Sequence, residues 1–313
     1  MDPAIGLCAT RNGDRVVLVH GDRVYLHDAL VRQRAAGGGK PPAAGQATTL
    51  AGFIEEGQRA LDRAAEDVDW AVASGLGAGI PGDPIFFPLS EAQERVTVGA
   101  AVRPRAPVTA ANQVFCLGDI FLSHLMVGGN PVPDRVGIFY KQTQDVVGPW
   151  EPIVLPRPHR DGVMVGGTEM ALVVGRTGRY IPADRAWDHI WGFSVLNDVT
   201  LRGLHPQLGP TLKVFETSAP IGPFLVPKAR VASPSAVGLR MRINGRQVQD
   251  GNTRDMRFDL AECIAEISNW HTLRPGDIIA TGDIGSRDAL HPGDTVECEV
   301  EGVGVLANPI VLG

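Results

Sequence analysis

The sequence predicts a mainly β protein of the α+β class, in which a curled β body carries a few peripheral helices and a small N-terminal module. From Val98 onward, short β-branched runs are broken by glycine and proline, and helical patterns are few. The chain has 38 glycines and 24 prolines in 313 residues, which is typical of a protein with many turns. Because strand and helix patterns do not alternate regularly, a doubly wound parallel sheet is not expected.

The composition is that of an ordinary globular protein. Hydrophobic residues make up 44% and charged residues 20% of the sequence, which excludes disordered and collagen-like classes. The formal net charge of −6 gives no basic field for nucleic acid or anionic lipid, so we expect neither as a partner. No apolar stretch approaches the ~20 residues that cross a bilayer, so no membrane span is expected.

The cysteines indicate a reducing compartment. Cys8, Cys116, Cys263 and Cys298 lack the paired spacing of a zinc site or of a disulfide framework. The N-terminal residues 1–6 contain no basic region followed by an apolar run. We therefore expect a cytoplasmic protein.

We divide the chain into an α+β module at residues 1–70, a linker and lead-in at 71–112, and a catalytic domain at 113–313. In the module, residues 15–20 and 23–26 are two β-favouring runs joined by Gly21-Asp22, which predicts a hairpin. Residues 34–49 are rich in alanine, glycine and proline and predict a loop. Apolar residues at helical spacing predict a helix over 49–67.

In the catalytic domain, the pair Asn244-Gly245 between alternating segments predicts a second hairpin. Residues 296–301 alternate apolar and acidic side chains, as a strand with one wet face does. One helix is expected to begin near Pro182 and to continue through Trp191. Another is expected over residues 260–270, with its apolar side chains on one stripe.

Common catalytic motifs are absent from the sequence: it has no Walker loop, no strand-linked Gly-x-Gly-x-x-Gly, no Gly-x-Ser-x-Gly and no His-Glu-x-x-His. The remaining candidates are polar residues in apolar segments, where burial requires pairing or function. Glu169 opens an apolar strand and is either a metal ligand or a carboxylate at the wet mouth of that strand. Asp198 follows what we interpret as an apolar helix, and either caps a turn or joins Glu169 in holding a hard cation such as Mg²⁺.

Two further residues are candidate proton-transfer and charge-stabilising groups. His124 lies among leucines and a methionine, and is either a core histidine or a catalytic base. Lys213 lies between Leu212 and Val214, where an ammonium group can stabilise an enolate or a carboxylate. The segment 277–283 ends an apolar strand in a small-residue turn, which is suited either to backbone contact with a ligand or to an ordinary turn.

Several specific motifs follow one another in the second part of the chain: Leu196-Asn197-Asp198-Val199-Thr200-Leu201-Arg202, Ala219-Pro220-Ile221-Gly222-Pro223, Asn244-Gly245 with Val248-Gln249, Asn252-Thr253-Arg254-Asp255-Met256, Gly276-Asp277-Ile278-Ile279-Ala280-Thr281-Gly282 and Pro292-Gly293-Asp294. In this order they resemble the motifs of the fumarylacetoacetate hydrolase superfamily, and the resemblance covers residues 114–313. The resemblance implies a β-sandwich roll, a homodimer, and Mg²⁺ or Mn²⁺ chelated by a 2-oxo or 1,3-dicarbonyl acid.

The resemblance also assigns roles. His124 matches the base, Lys213 the lysine, and Glu169 and Asp198 two of three metal carboxylates. The substrate pocket that it implies also contains Ile120, Phe121, Val127, Lys141, Arg202, Gln249, Thr281 and Asp283.

The chain departs from the family pattern at costly positions. Gly167 stands where the first metal glutamate is expected, so we expect Mg²⁺ or Mn²⁺ binding to be weak or absent. Val127 stands where the family has the glutamate partner of the base, so His124 is expected to lack its carboxylate. Ile120 and Phe121 replace an Asn-Tyr pair, and Asp283 replaces a threonine.

The sequence therefore predicts a diverged enzyme acting on a small keto-enol, β-dicarbonyl or 2-oxo acid. Two classes of reaction are open. The first is cleavage of a C–C bond by hydrolysis or decarboxylation. The second is a non-hydrolytic tautomerisation, dehydration or cyclisation, of the kind that lyases, isomerases and cyclases of secondary metabolism catalyse. The second reading is favoured by Val127 and the apolar neighbours of His124, because a dry pocket protects reactive enols. A catalytically inactive binding protein is a further alternative.

Overall fold

The computed structural model describes residues 3–10, 13–37, 49–76, 79–80, 83–84, 86–88, 102–108, 113–128, 132–159, 162–204, 206–285 and 288–313. Within these residues the α-helices are α1 (His27–Ala36), α2 (Leu50–Glu56), α3 (Gln58–Ala73), α4 (Leu122–Gly128) and α5 (Leu260–Trp270). Short 3-10 helices supply several connections. None of the helices described is both long enough and apolar enough to cross a bilayer.

Strands contain more of the described residues than helices do. In chain order they are β1 (Ala4–Thr10), β2 (Gly13–His20), β3 (Arg23–Leu26), β4 (Gly79–Ile80), β5 (Asp83–Pro84), β6 (Phe86–Pro88), β7 (Val102–Arg105), β8 (Val114–Gly118), β9 (Gly137–Lys141), β10 (Val146–Val147), β11 (Ile153–Leu155), β12 (Val163–Val165), β13 (Thr168–Val174), β14 (Ile190–Asn197), β15 (Thr200–Arg202), β16 (Ala219–Pro227), β17 (Gly238–Ile243), β18 (Arg246–Asn252), β19 (Ile278–Ala280), β20 (Thr295–Val300) and β21 (Gly304–Leu312). The predicted mainly β, α+β fold with few peripheral helices is confirmed.

A large mixed sheet forms the centre of the molecule. Its main path runs β6-β3-β2-β1-β16-β14-β13-β19-β8-β9, and a second sheet runs β11-β21-β20-β17-β18. The central strands β13, β14 and β16 are buried along their whole length, as strands covered on both faces must be. One face packs with residues of the second sheet, and the other packs with α2 and α3.

Both hairpins predicted from short turn signals are present. His20 pairs with Arg23 across Gly21-Asp22, and Ile243 pairs with Arg246 across Asn244-Gly245. Asn244 and Gly245 both have positive φ, which a tight two-residue turn of this kind requires. Helix α5 matches its predicted span, and Asp259 and Glu262 form a capping box at its start.

Three sequence-based expectations about local structure are wrong in part. The segment after Pro182 is a 3-10 helix only to His189; Ile190 and Trp191 belong to β14, so Asp198 follows a strand and not a helix. Central position in the sheet explains why this apolar run is extended, since tertiary context overrides a short helical pattern. The helix predicted over 49–67 is broken at Gly57, whose φ is 58°, and resumes as α3 to Ala73. In the predicted loop, residues 34–36 belong to α1, and 38–48 lie outside the described residues.

The N-terminal strands continue the central sheet, because Ile5 of β1 pairs with Leu225 of β16. The division at residues 70 and 113 stays a prediction. Most of the predicted linker, including residues 89–101, lies outside the described part of the chain.

Candidate active site

The strand order brings four chain segments to one edge of the central sheet. β19 runs parallel to β8, so the turns that follow the two strands leave at the same edge. β13 runs antiparallel to β19, and its first residues therefore start at that edge. Thr168 of β13 pairs with Asn197 of β14, so the end of β14 lies there too. His124, Asp283, Glu169 and Asp198 are carried by these four segments.

His124 lies on α4, which begins four residues after β8 ends. Its Nδ1 is hydrogen-bonded to Oδ1 of Asp283. That hydrogen bond raises the pKa of His124 above 6.5, against the opposing effects of partial burial and of the Lys213 and Arg202 charges. The histidine side chain is 22% exposed, so it is not sealed in the core. Ile120 and Phe121, which were predicted to line the pocket, are core residues with at most 1% exposure.

Asp283 corrects the expectation that His124 lacks a carboxylate partner. The sequence reading looked for that partner three residues along the helix, at Val127, whose side chain lies outside the described residues. The structure supplies it from the turn after β19, 159 residues away in the chain. One signal in the sequence could have identified this partner. Asp283 adds a carboxylate where the family has a threonine, whereas Gly167 and Val127 stand where the family has glutamates.

Gln249 fixes the other oxygen of Asp283. The Thr168 backbone N–H donates to Gln249 Oε1 at 3.0 Å, and Gln249 Nε2 donates to Asp283 Oδ2 at 3.2 Å. Gln249 is 3% exposed, so this amide has little freedom to turn. Both carboxylate oxygens of Asp283 thus have named partners.

A lysine pair surrounds Asp198. Lys213 Nζ lies 2.5 Å from Asp198 Oδ2, and Lys141 Nζ lies 2.9 Å from Asp198 Oδ1. Burial alone would raise the pKa of Asp198, but the two ammonium groups lower it to about 2. Lys213 also donates to Thr200 Oγ1 at 3.2 Å and lies over the ring of Phe139, 4.5 Å from its centroid. Asp198 is therefore ionised and held between two cations.

The pKa of Glu169 is shifted in the opposite direction from that of Asp198. It is 1% exposed, and one carboxylate oxygen accepts a 2.8 Å hydrogen bond from the Gly282 backbone N–H. Burial, followed by repulsion from Asp198 and Asp283, raises the pKa of Glu169 well above its usual range. Glu169 is therefore buried, and the alternative that placed its carboxylate at a solvent-exposed end of the strand is wrong.

Two other predicted pocket residues differ in their surroundings. The buried hydroxyl of Thr281 makes no hydrogen bond to the described residues. Arg202 is half-buried at the end of β15, and its positive charge acts to lower the pKa of His124.

The family resemblance implies a divalent metal, and the side chains test whether one fits. Gly167 offers no donor, and a Cβ there would lie only 2.6 Å from Asp283 Cγ, so Asp283 fills the space of the missing glutamate. Both oxygens of Asp198 face lysine ammonium groups. In the described part of the chain, no three His, Cys, Asp or Glu side chains are arranged to share one ion. As arranged, the residues do not fit a divalent cation, which prefers ionised and unpaired oxygen ligands.

Solved structures of similar fold cover nearly the whole chain. A 5-carboxymethyl-2-hydroxymuconate delta-isomerase from Mycobacterium smegmatis is 26% identical, covers 99% of both chains and has a TM-score of 0.67. A maleylpyruvate hydrolase from Sphingobium sp. SYK-6, solved with manganese(II) and pyruvate, is 24% identical, covers 98% of this chain and 99% of its own, and has a TM-score of 0.73. The second likeness shows that this chain has the same fold as the maleylpyruvate hydrolase, and that hydrolase holds a manganese(II) ion.

Sequence comparison gives more similar relatives. The human mitochondrial oxaloacetate tautomerase FAHD2A is 36% identical over 243 residues, which are 71% of this chain and 76% of that protein. The mitochondrial oxaloacetate tautomerase fahd2 of Xenopus laevis is 34% identical over 220 residues, 66% of this chain and 67% of its own. The profile of the family described as "Fumarylacetoacetate (FAA) hydrolase C-terminal" matches residues 113–311. Together with the fold, these matches establish that the chain is an enzyme that belongs to the fumarylacetoacetate hydrolase superfamily.

Proposed function

We propose that the chain catalyses keto–enol tautomerisation of a small 2-oxo acid, with oxaloacetate as the first substrate to test. The observation that carries the proposal is the hydrogen-bonded pair His124–Asp283 within electrostatic reach of Lys213. A base and a cation near each other are what enolisation requires. The names of the relatives, oxaloacetate tautomerases, support the same reaction.

In the proposed reaction, the proton on the carbon next to the ketone moves to His124 Nε2. The C–H electron pair becomes the new C=C bond, and the carbonyl π pair moves onto oxygen. The ammonium of Lys213 stabilises the resulting enolate, and the enolate oxygen then takes the proton back from His124 Nε2, which gives the enol and restores the neutral imidazole. No oxidant, reductant or water is consumed, and the reverse sequence returns the ketone.

The surrounding residues bind and orient the substrate in this proposal. Arg202 and Lys213 carry positive charge toward His124 and attract a substrate carboxylate. The buried hydroxyl of Thr281 is available to donate a hydrogen bond. Ile120 and Phe121 have an indirect role in this proposal: they are buried in the core and fix the start of the helix that carries His124.

The test is the rate at which the enol form of oxaloacetate approaches equilibrium, followed by its ultraviolet absorbance. Wild type should accelerate this relaxation. The substitution His124→Ala should lower the rate by about 10²-fold or more and leave the thermal midpoint nearly unchanged, because general acid–base catalysis has about that effect. His291→Ala, at an exposed histidine in another part of the chain, is the matched control. Wild-type relaxation no faster than the buffer rate would contradict the proposal.

Hydrolysis or decarboxylation of a C–C bond is the second candidate. The observation that favours it is again Asp283, since a histidine with a carboxylate partner can also orient water. Acylpyruvates distinguish the two reactions: pyruvate release, coupled to lactate dehydrogenase, that matches or exceeds the tautomerisation rate would favour cleavage. The homodimer and the cytoplasmic location stay predictions.

A further inference from the structure

The space in front of Gly167 is filled by Asp283. An added Cβ at residue 167 would lie 2.6 Å from Asp283 Cγ and 2.9 Å from its Cβ, which are distances that real side chains do not adopt. Gly167 follows β12 and precedes β13, whereas Asp283 comes from the turn after β19. The two residues are therefore mutually dependent: only glycine at 167 leaves room for the carboxylate of residue 283.

The turn at Gly282 delivers this carboxylate to His124. Gly282 has a φ of 81°, and an added Cβ there would lie 3.1 Å from Leu117 O at the end of β8. Glycine thus allows both the positive φ and the close approach to β8. Because α4 follows β8 at the same edge, residue 283 lies beside the imidazole.

The contacts of Asp283 orient it toward the histidine. It is 9% exposed, and its Oδ2 accepts from the amide of Gln249, which is itself oriented by the Thr168 N–H. This leaves Oδ1 for the Nδ1 side of His124. A carboxylate on Nδ1 keeps the proton there in the neutral imidazole, so Nε2 carries the lone pair.

We infer that Asp283, in the room provided by Gly167, is the positioning residue of His124: it selects the tautomer with Nε2 unprotonated and stabilises the imidazolium. The inference rests on the proposed function for its effect on catalysis, but not for its effect on the imidazole. The inference also explains two departures from the family pattern together: glycine at 167 leaves the room that the carboxylate at 283 occupies. The carboxylate of this site has been relocated rather than lost.

The experiment compares wild type with Asp283→Asn, which keeps the shape and a hydrogen-bond acceptor but removes the charge. Two readouts are taken: the nitrogen chemical shifts of His124, which report the tautomer, and kcat and KM for enol relaxation. We expect kcat to fall about 10²-fold or more with a much smaller change in KM, and the His124 signals to show a mixture of tautomers. Asp277→Asn is the control, because that buried aspartate directly before β19 accepts only from backbone N–H groups of Gln113 and Arg274 among the described contacts. It should cost stability and leave the His124 tautomer unchanged.

The outcomes separate the two proposals. An unchanged His124 tautomer in Asp283→Asn, or a kcat within about threefold of wild type, overturns the positioning role. If wild type shows no tautomerase activity, the proposed function fails, and the nitrogen shifts alone then decide the role of Asp283. If Asp283→Asn does not fold, Asp283→Ala removes the carboxylate without adding bulk beside Gly167 and should shift the tautomer in the same direction, whereas an unchanged tautomer there counts against the inference.

Discussion

Lys141 Nζ lies 2.9 Å from Asp198 Oδ1 and donates to two backbone carbonyl oxygens, Val199 O at 3.0 Å and Lys213 O at 2.5 Å. The side chain of Lys141 has no exposure, so all three contacts are made away from water. One buried ammonium group therefore both compensates the aspartate and holds the backbone of the residue that carries the second ammonium group.

We expect Lys141→Met to destabilise the protein strongly. Methionine keeps the volume but leaves Asp198 with one cation instead of two, and breaking a buried ion pair typically costs about 3–5 kcal/mol. The measurement is the free energy of unfolding at pH 7 from denaturant titration. Asp198→Asn added to Lys141→Met should recover part of the loss, because the uncompensated charge is then gone. A stability within about 1 kcal/mol of wild type for the single variant would count against this role for Lys141.

The activity and the stability contributed by His124 should change in opposite directions with pH. The hydrogen bond to Asp283 raises its pKa above 6.5, with Lys213 and Arg202 opposing. Because the folded pKa is raised, the His124–Asp283 contribution to stability is fully present below pH 6.5 and is lost as pH rises through the folded value. Since the neutral imidazole is the proposed base, kcat/KM should rise over the same window. A pH–rate profile and unfolding free energies across this range check both signs; a midpoint of the acidic limb below pH 6.5 would contradict the raised pKa of His124.

The pair Gly167 and Asp283 should be energetically coupled. Gly167→Ala should cost about 1–3 kcal/mol, because the methyl group overlaps the Asp283 carboxylate. In an Asp283→Ala background the same change should cost less, since Cγ and the oxygens are removed and only the Cβ contact remains. A double-mutant cycle of unfolding free energies measures the coupling, which we expect to be about 0.5–3 kcal/mol; additive effects would refute it. For the same reason, restoring glutamate at 167 alone should disrupt the site rather than repair it.

Binding of Mg²⁺ or Mn²⁺ should be weak. The ion would have to draw Asp198 away from two lysines and bind the Glu169 carboxyl group, whose pKa is raised chiefly by burial and next by the neighbouring carboxylates. Calorimetry on chelator-treated protein is the measurement, with Asp198→Asn as the comparison. Micromolar affinity in the wild type that disappears in Asp198→Asn would show that the carboxylates rearrange around a cation.

Much of the local structure follows from short-range signals. The turns at Gly21-Asp22 and Asn244-Gly245 and the capping box of α5 depend on residues within a few positions of each other, so their chemistry is legible in the chain. The order of several motifs also identified the superfamily. The helix predicted through Ile190 and Trp191 is a strand. A fully buried central strand lacks the alternation of apolar and polar residues that would distinguish it from a buried helix.

The sequence by itself determined which chemical groups are present: a histidine, two lysines and carboxylates within apolar segments, with glycine at 167. Only the tertiary structure decided how they pair. The parallel pairing of β19 with β8 sets Asp283 beside His124 across 159 residues, and the buried Lys141 reaches Asp198 from another strand. The physical reason is that a hydrogen bond or an ion pair depends on distance in space, which sheet register fixes, and separation along the chain carries no information about it.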